Sequence, residues 1–115
     1  MIIYHNPRCS TSRKALKMIE DHGIKPEIIK YLEDVPTEAE FKKVLVKLNL
    51  KATDVLRKRE QIFKEHYKDK NFTEDEWITI MLENPKLIER PIIVKGNKAV
   101  IARPMGELED LLNKG

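Results

Sequence analysis

The residues best suited to chemistry lie in one short segment, from Tyr4 to Arg13. It contains Cys9, the only cysteine, with His5 four residues before it and Arg8 directly before it. A thiol is a strong nucleophile only when it is ionised, and helix N-termini or nearby cations lower its pKa. A helical pattern follows Cys9, so the unpaired N–H groups and positive dipole end of that helix would point at the sulfur and at a bound anion. The segment therefore predicts a reactive thiolate in an anion pocket, with His5, Arg8 and Arg13 as candidate cations.

Simpler interpretations of these residue types stay open. A lone cysteine is most often a small buried hydrophobe, although the neighbours of Cys9 form a polar loop, which favours a reactive thiol. An arginine in a chain with 36% charged residues is usually a solvated surface charge. Arg57 is the clearest case, because Lys58 and Arg59 beside it are typical of an exposed helix face. For His5, the alternative is a hydrogen bond to the backbone near the strand end.

The composition excludes several classes of protein. The 115 residues are enough for one globular domain, and a single cysteine is typical of the reducing cytoplasm. The chain has no apolar run of about 18 residues or more and no basic, apolar leader, so neither a transmembrane helix nor a signal peptide is expected. Its 22 basic and 19 acidic residues are spread along the chain, unlike the clustered basic face of a nucleic-acid binder. No histidine or carboxylate pair stands at metal-ligand spacing from Cys9.

The first 32 residues predict a β-α-β unit. Ile2–Tyr4 is typical of a short buried strand, a helix begins at Thr11 and ends at Gly23, and a second strand follows over 27–32. Two strands joined through a helix run parallel, with a right-handed crossover.

Residues 36–88 predict an all-helical insertion. Two capping boxes, in which a threonine is followed three residues later by a glutamate, mark helix starts at Thr37 and Thr73. Shorter helical segments are expected near 53–56 and over 60–67.

After the insertion the chain returns to strands. Residues 91–94 and 99–101 predict a hairpin, with Gly96 and Asn97 as its two-residue loop. Pro104 stands where a first-turn proline would open a last amphipathic helix. The predicted fold class is therefore α/β, a mixed four-stranded sheet with flanking helices and a helical insertion, in a single domain.

This order of elements, with a cysteine after the first strand, resembles the thioredoxin fold. Four motifs narrow the resemblance to the arsenate reductases that work with glutaredoxin. A Cys-x-x-Ser pattern alone is a weak signal, but four motifs in the family's order are specific and cover nearly the whole chain. The motifs are His5-Asn6-Pro7-Arg8-Cys9-Ser10-Thr11-Ser12-Arg13, Leu56-Arg57-Lys58, Glu89-Arg90-Pro91-Ile92-Ile93-Val94 and Arg103-Pro104.

The resemblance implies a role for each matching residue. Cys9 would attack the arsenic of arsenate and form a covalent adduct, and His5 would help to keep the thiol ionised. Pro91 would follow a cis peptide bond and pack against the cysteine loop. Planar guanidinium groups suit the oxygens of an oxyanion. The residues assigned to oxyanion binding are Arg57, Arg90 and Arg103, with Ser12 and Arg13 as further candidates for substrate binding.

The resemblance also implies partners. Ser12 stands where a dithiol oxidoreductase has its second cysteine, so this protein cannot close its own disulfide and needs an external thiol. Glutathione, as co-substrate, would attack the adduct, and a glutaredoxin would resolve the resulting mixed disulfide, with release of arsenite. The protein is expected to be a cytoplasmic monomer with no bound cofactor or metal, and without membrane or nucleic-acid binding.

Two other functions stay open. Redox-sensing regulators of the same fold family bind RNA polymerase, but they generally carry a Cys-x-x-Cys switch, and the second thiol is missing here. A thiol transferase acting on another oxyanion is the third possibility. Arg8 leaves the substrate open, because the well-studied reductases of this family have a small residue at this position.

Overall fold

The computed structural model describes residues 1–103 and 105–113 of the protein. The expectation that Pro104 opens the last helix lies outside these residues. The helices are α1 (Ser10–Asp21), α2 (Glu38–Leu48), α3 (Gln61–His66), α4 (Glu74–Glu83) and α5 (Gly106–Asn113), with 3₁₀ turns at Ala52–Val55 and Pro85–Leu87. In this described part of the chain, no helix is both long and apolar enough to cross a membrane.

The strands form one mixed sheet in the order β2-β1-β3-β4. The central strand β1 pairs parallel with β2 on one side and antiparallel with β3 on the other, and β3 pairs antiparallel with β4. The predicted α/β class with a mixed four-stranded sheet is therefore confirmed. The strands are β1 (Ile2–Tyr4), β2 (Glu27–Ile29), β3 (Ile92–Lys95) and β4 (Lys98–Ile101).

The chain divides into two compact units. Met1–Asp34 and the chain from Arg90 onward form one, which we call the thiol unit because it contains Cys9. Val35–Glu89 form the other, which we call the helical unit. That the two together make a single domain with an insertion over 36–88 stays a prediction.

The core of the thiol unit lies between the sheet and the two helices α1 and α5. Apolar side chains at helical spacing on α1 and α5 meet those of β1, β3 and the end of β4, so each element buries its apolar face against another. The buried cluster comprises Ile3, Ala15, Ile19, Ile93, Ala102, Leu108, Leu111 and Leu112. This packing holds the start of α1, and with it Cys9, against the sheet.

The helical unit is organised by the two predicted caps and by an aromatic cluster. The Thr37 side chain accepts a hydrogen bond from the Glu40 N–H, and Thr73 forms a complete capping box with Glu76. Trp77 of α4 then packs its ring 4.9 Å from that of Phe72, centroid to centroid. The helix starts predicted at both threonines are therefore confirmed.

The second strand is shorter than the sequence predicts. Strand β2 ends at Ile29, and the N–H groups of Glu33 and Asp34 bond back to the Lys30 carbonyl in a turn. The turn places the Tyr31 side chain in the interior, at 2% exposure. The apolar residues after Ile29 therefore suggested a longer strand, but they serve a buried turn at the edge of the sheet.

Candidate active site

The strand directions of the thiol unit bring four segments to one end of the sheet. Strands β1, β2 and β4 run the same way, and β3 runs against them. The residues that follow β1, β2 and β4 therefore lie at the same end of the sheet as those that precede β3. They are the loop 5–9, the turn 30–33, Arg103 and the pair Arg90–Pro91, whose peptide bond is cis.

Cys9 is the N-cap residue of α1. Its backbone is extended, with φ −92° and ψ 121°, and its carbonyl accepts the first helical bond from the Arg13 N–H at 3.0 Å. The Cys9 N–H bonds to the Asn6 carbonyl at 3.0 Å, which closes the loop before the helix. The thiol is 9% exposed. The loop thus places one sulfur atom where the unpaired N–H groups of the helix begin.

Opposing influences act on the Cys9 thiol. Burial raises its pKa, because a thiolate loses solvation in the protein interior. The backbone N–H of Ser12, the hydrogen bond and charge of Arg90, and the backbone N–H of Thr11 oppose burial. Together they outweigh it, and the pKa of Cys9 lies below its ordinary value. The pKa is lowered although the Cys9 side chain forms no hydrogen bond that caps α1.

Arg103 forms hydrogen bonds both to Cys9 at the start of α1 and to Arg90 before β3. Its Nη2 donates to the Cys9 sulfur at 3.3 Å, and its Nε donates to the Arg90 carbonyl at 2.7 Å. The Ala102 N–H meanwhile bonds to the Pro91 carbonyl at 3.1 Å. One guanidinium therefore spans the entry of β3 and the start of α1, so the structure brings together Cys9, Arg90 and Arg103.

The His5 side chain is hydrogen-bonded to Ser12 inside the cysteine loop. Its Nδ1 is 2.7 Å from the Ser12 Oγ, which also accepts the Asn6 N–H at 3.1 Å, and all three residues are buried. Burial, followed by the charges of Lys30 and Arg13, lowers the pKa of His5. Both influences disfavour the His5 cation that the sequence suggested, and they favour the neutral imidazole next to Ser12.

Ser12 and Arg13 build the loop. Ser12 is fully buried, and its hydroxyl is hydrogen-bonded within the loop to His5 and to the Asn6 N–H. The Arg13 Nη1 donates to the Pro7 carbonyl at 2.9 Å. For these two residues, substrate binding stays a prediction, while their side chains visibly shape the cysteine loop.

Arg57 belongs to the helical unit and is not an exposed surface charge. Its side chain is 13% exposed, with Nη1 2.7 Å from a Glu89 carboxylate oxygen and Nη2 3.6 Å from one of Glu60. Its backbone N–H bonds to the Leu87 carbonyl at 2.7 Å. Within residues 1–103 and 105–113, its buried Nε–H has no hydrogen-bond acceptor.

Sequence reasoning assigned no individual role to Asn6 or Glu89, although both stand in the motifs above. The Asn6 Oδ1 accepts the Arg8 N–H at 3.0 Å, an Asx turn that asparagine favours two residues before the donor, so this signal was readable. The Glu89 partnership with Arg57 joins residues far apart in the chain, and no local pattern marks it. In the described part of the chain, no three His, Cys, Asp or Glu side chains are grouped so as to hold a metal ion.

Together, the fold and the site define a thioredoxin-like protein with a single activated thiol between guanidinium groups. Comparison with known proteins agrees, since residues 4–111 match the ArsC family. The chain belongs to the ArsC family, as the four motifs indicated.

Named relatives cover nearly the whole chain. The arsenate reductase of Neisseria meningitidis serogroup B is 38% identical over 112 residues, 96% of each chain. The uncharacterised protein YfgD of Escherichia coli K12 is also 38% identical, over 96% of this chain and 94% of its own. Among solved structures, the arsenate reductase of Vibrio cholerae is 40% identical, with a TM-score of 0.89 over 95% of this chain and 94% of that one. The thioredoxin-like fold is thereby confirmed.

Proposed function

We propose that this protein reduces arsenate to arsenite, with Cys9 as the nucleophile. The observation that carries this proposal is the 3.3 Å contact between the Cys9 sulfur and the Arg103 guanidinium, at a thiol whose pKa is lowered. A thiolate approaches an oxyanion readily only where cations offset the two negative charges, and Arg90 and Arg103 are such cations. Membership in the ArsC family and the arsenate reductases among its relatives support arsenate as the oxyanion.

In the first step the Cys9 thiolate attacks the arsenic atom. A sulfur–arsenic bond forms, one arsenic–oxygen bond breaks, and the departing oxygen is protonated and leaves as water. Arg90 and Arg103 bind the remaining oxygens in the bidentate manner that guanidinium groups favour. Arg57 is the third ligand of the oxyanion in this proposal. Its buried Nε–H supports this role, because a buried donor gains from an acceptor that a ligand supplies.

In the second step an external thiol reduces the adduct. The sulfur of glutathione attacks the Cys9 sulfur, a disulfide bond forms, and the electron pair of the sulfur–arsenic bond leaves with arsenic, which becomes arsenite. A glutaredoxin thiolate then attacks the glutathione sulfur, and the Cys9 thiolate is released. The chain needs these partners because Cys9 is its only cysteine. A reducing cytoplasm supplies both, and the protein acts there as a monomer.

His5, Ser12 and Arg13 are positioning residues in this proposal. The neutral His5 holds the Ser12 hydroxyl, Ser12 holds the Asn6 N–H, and Arg13 holds the Pro7 carbonyl. These bonds keep the loop in the shape that directs the Ser12 and Thr11 N–H groups at the sulfur and at the bound oxyanion.

The test is arsenate reduction with glutathione, glutaredoxin, glutathione reductase and NADPH, followed as loss of NADPH. We expect turnover that requires arsenate, and no turnover in Cys9→Ser, because a serine hydroxyl does not ionise at neutral pH. The matched control is Ser10→Ala, which changes an exposed hydroxyl beside Cys9. A wild-type protein whose Cys9 is rapidly alkylated but that reduces no arsenate would overturn the proposal.

A further inference from the structure

A cavity lies beside the cysteine loop, on the side of β2. It has a volume of about 270 Å³, and its walls are the loop before Cys9 and the turn after β2. Since a water molecule occupies about 30 Å³ of liquid, the cavity has room for one end of a small organic molecule. Its lining residues are His5, Asn6, Pro7, Arg8, Lys30, Leu32 and Glu33.

The charges of this cavity are suited to a carboxylate. Arg8, Lys30 and Glu33 are all exposed, and none of them forms an ion pair with another described residue. Two cations against one anion leave a formal charge of +1. Glutathione at neutral pH carries two carboxylates and one ammonium, a net charge of −1, so the two are complementary.

One wall of the cavity is held rigid by the helix. The Asn6 N–H is bound to Ser12, the Arg8 N–H to the Asn6 side chain, and the Pro7 carbonyl to Arg13. A ligand that binds here does not have to order this loop, and preorganisation of this kind favours affinity.

The cavity is next to the proposed nucleophile along the chain. Arg8 directly precedes Cys9, and consecutive Cα atoms are about 3.8 Å apart. The thiol of glutathione lies at its central residue, so a molecule with one terminal carboxylate between Arg8 and Lys30 can extend its sulfur past Arg8 toward Cys9.

We propose that the cavity lined by Arg8, Lys30 and Glu33 binds the thiol co-substrate, a small peptide thiol of the glutathione type, by its carboxylate. The inference rests on the proposed function and adds the site from which the reductant attacks. Arg8 and Lys30 bind the carboxylate. Glu33 limits the formal charge of the site to +1, which complements a thiol with a net charge of −1.

The experiment measures glutathione recognition without arsenate. Cys9 reacts with glutathione disulfide: its thiolate attacks one sulfur, a new disulfide bond forms, the old one breaks, and glutathione leaves as a thiolate. The rate of the corresponding reaction with hydroxyethyl disulfide, which is uncharged, reports the intrinsic reactivity of Cys9. The ratio of the two rates isolates recognition of the charged groups, and mass spectrometry of the mixed disulfides gives both.

We expect the wild-type ratio to fall by about tenfold in Arg8→Gln/Lys30→Gln, as for loss of hydrogen bonds to a charged group. The matched control is Lys14→Gln, an exposed cation on a separate cavity of about 480 Å³ that also includes Arg103; its ratio should stay at the wild-type value. No preference for glutathione disulfide in the wild type, an unchanged ratio in the double variant, or a larger fall in Lys14→Gln would each overturn the inference. A preserved preference without arsenate turnover would instead overturn the proposed function alone.

Discussion

In the thiol unit, the Arg103 guanidinium lies 3.3 Å from the Cys9 sulfur, whereas in the helical unit the Arg57 guanidinium lies 2.7 Å from a Glu89 carboxylate oxygen. The first arginine favours an anion that forms only when the thiol ionises. The second already has a permanent anionic partner, with Glu60 as another at 3.6 Å. The same residue type therefore contacts the thiol in one unit and is paired with carboxylates in the other.

The contrast matters for function. A guanidinium beside a thiol lowers the pKa of that thiol and attracts an oxyanion. A guanidinium fixed by carboxylates is better oriented but contributes less net charge. In the proposed site we expect Arg57 to contribute mainly the direction of its N–H groups, because Glu89 and Glu60 offset its charge.

The largest effect is expected from Arg103→Lys. An ammonium cannot bond the sulfur and the Arg90 carbonyl at once, so we expect the pKa of Cys9 to rise and kcat/KM for arsenate to fall by about a hundredfold. The pH dependence of alkylation and steady-state kinetics measure the two effects. Arg59→Lys, the same change at an exposed position of the helical unit, should alter neither. Unchanged alkylation in Arg103→Lys would show that Arg103 does not tune the thiol.

Arg57→Gln should act mainly on stability. It leaves the Glu89 and Glu60 carboxylates without their guanidinium, and we expect the free energy of unfolding to fall by about 1–3 kcal/mol. Urea denaturation measures this loss, and it should be smaller when the same change is made in a Glu89→Gln protein, because the partner is already gone. The pKa of Cys9 should stay at the wild-type value. A raised thiol pKa without loss of stability would reverse the comparison.

His5 makes stability depend on pH. Its pKa in the folded protein is lowered, chiefly by burial, below the ordinary value of 6.5. The unfolded chain therefore takes up this proton at a higher pH than the folded chain, so the His5 contribution is present above about 6.5 and declines as the pH falls below it. The decline is at most about 1.4 kcal/mol per pH unit. Urea denaturation at pH values from about 7.5 to about 5, the range in which histidine titrates, should show this decline.

The matched variant is His5→Gln, which has no titrating group and can still hydrogen-bond Ser12. Its stability should change less over the same pH range. An equal decline in both proteins would assign the pH dependence to other groups.

The smallest effect is expected from Thr73→Ala. The substitution removes the capping box of α4, and caps of this kind contribute about 1 kcal/mol. Thermal denaturation should show the loss, while the alkylation rate of Cys9 stays the same because the cap lies in the helical unit. Thr79→Ala, an exposed position within the same helix, should cost less. A slower alkylation rate in Thr73→Ala would show that the two units are coupled.

Much of the fold was readable from local patterns. The β-α-β start, the caps at Thr37 and Thr73, and the hairpin around Gly96 each depend on neighbouring residues, and all were predicted. The strand over 27–32 was predicted too long. A buried tyrosine in a turn and a buried tyrosine in a strand look alike in the local sequence. Burial of Tyr31 is decided by packing, which the local sequence does not contain.

The sequence by itself predicted Cys9 as the nucleophile and, because Cys9 is the only cysteine, an external thiol as the reductant. It also determined that arginines near element ends are candidate ligands. Only the tertiary structure decided the surroundings of each candidate: Arg103 contacts the sulfur, Arg57 is paired with Glu89, and burial lowers the pKa of His5. The physical reason is that charge and pKa depend on burial and on partners distant in the chain, and folding alone brings these together.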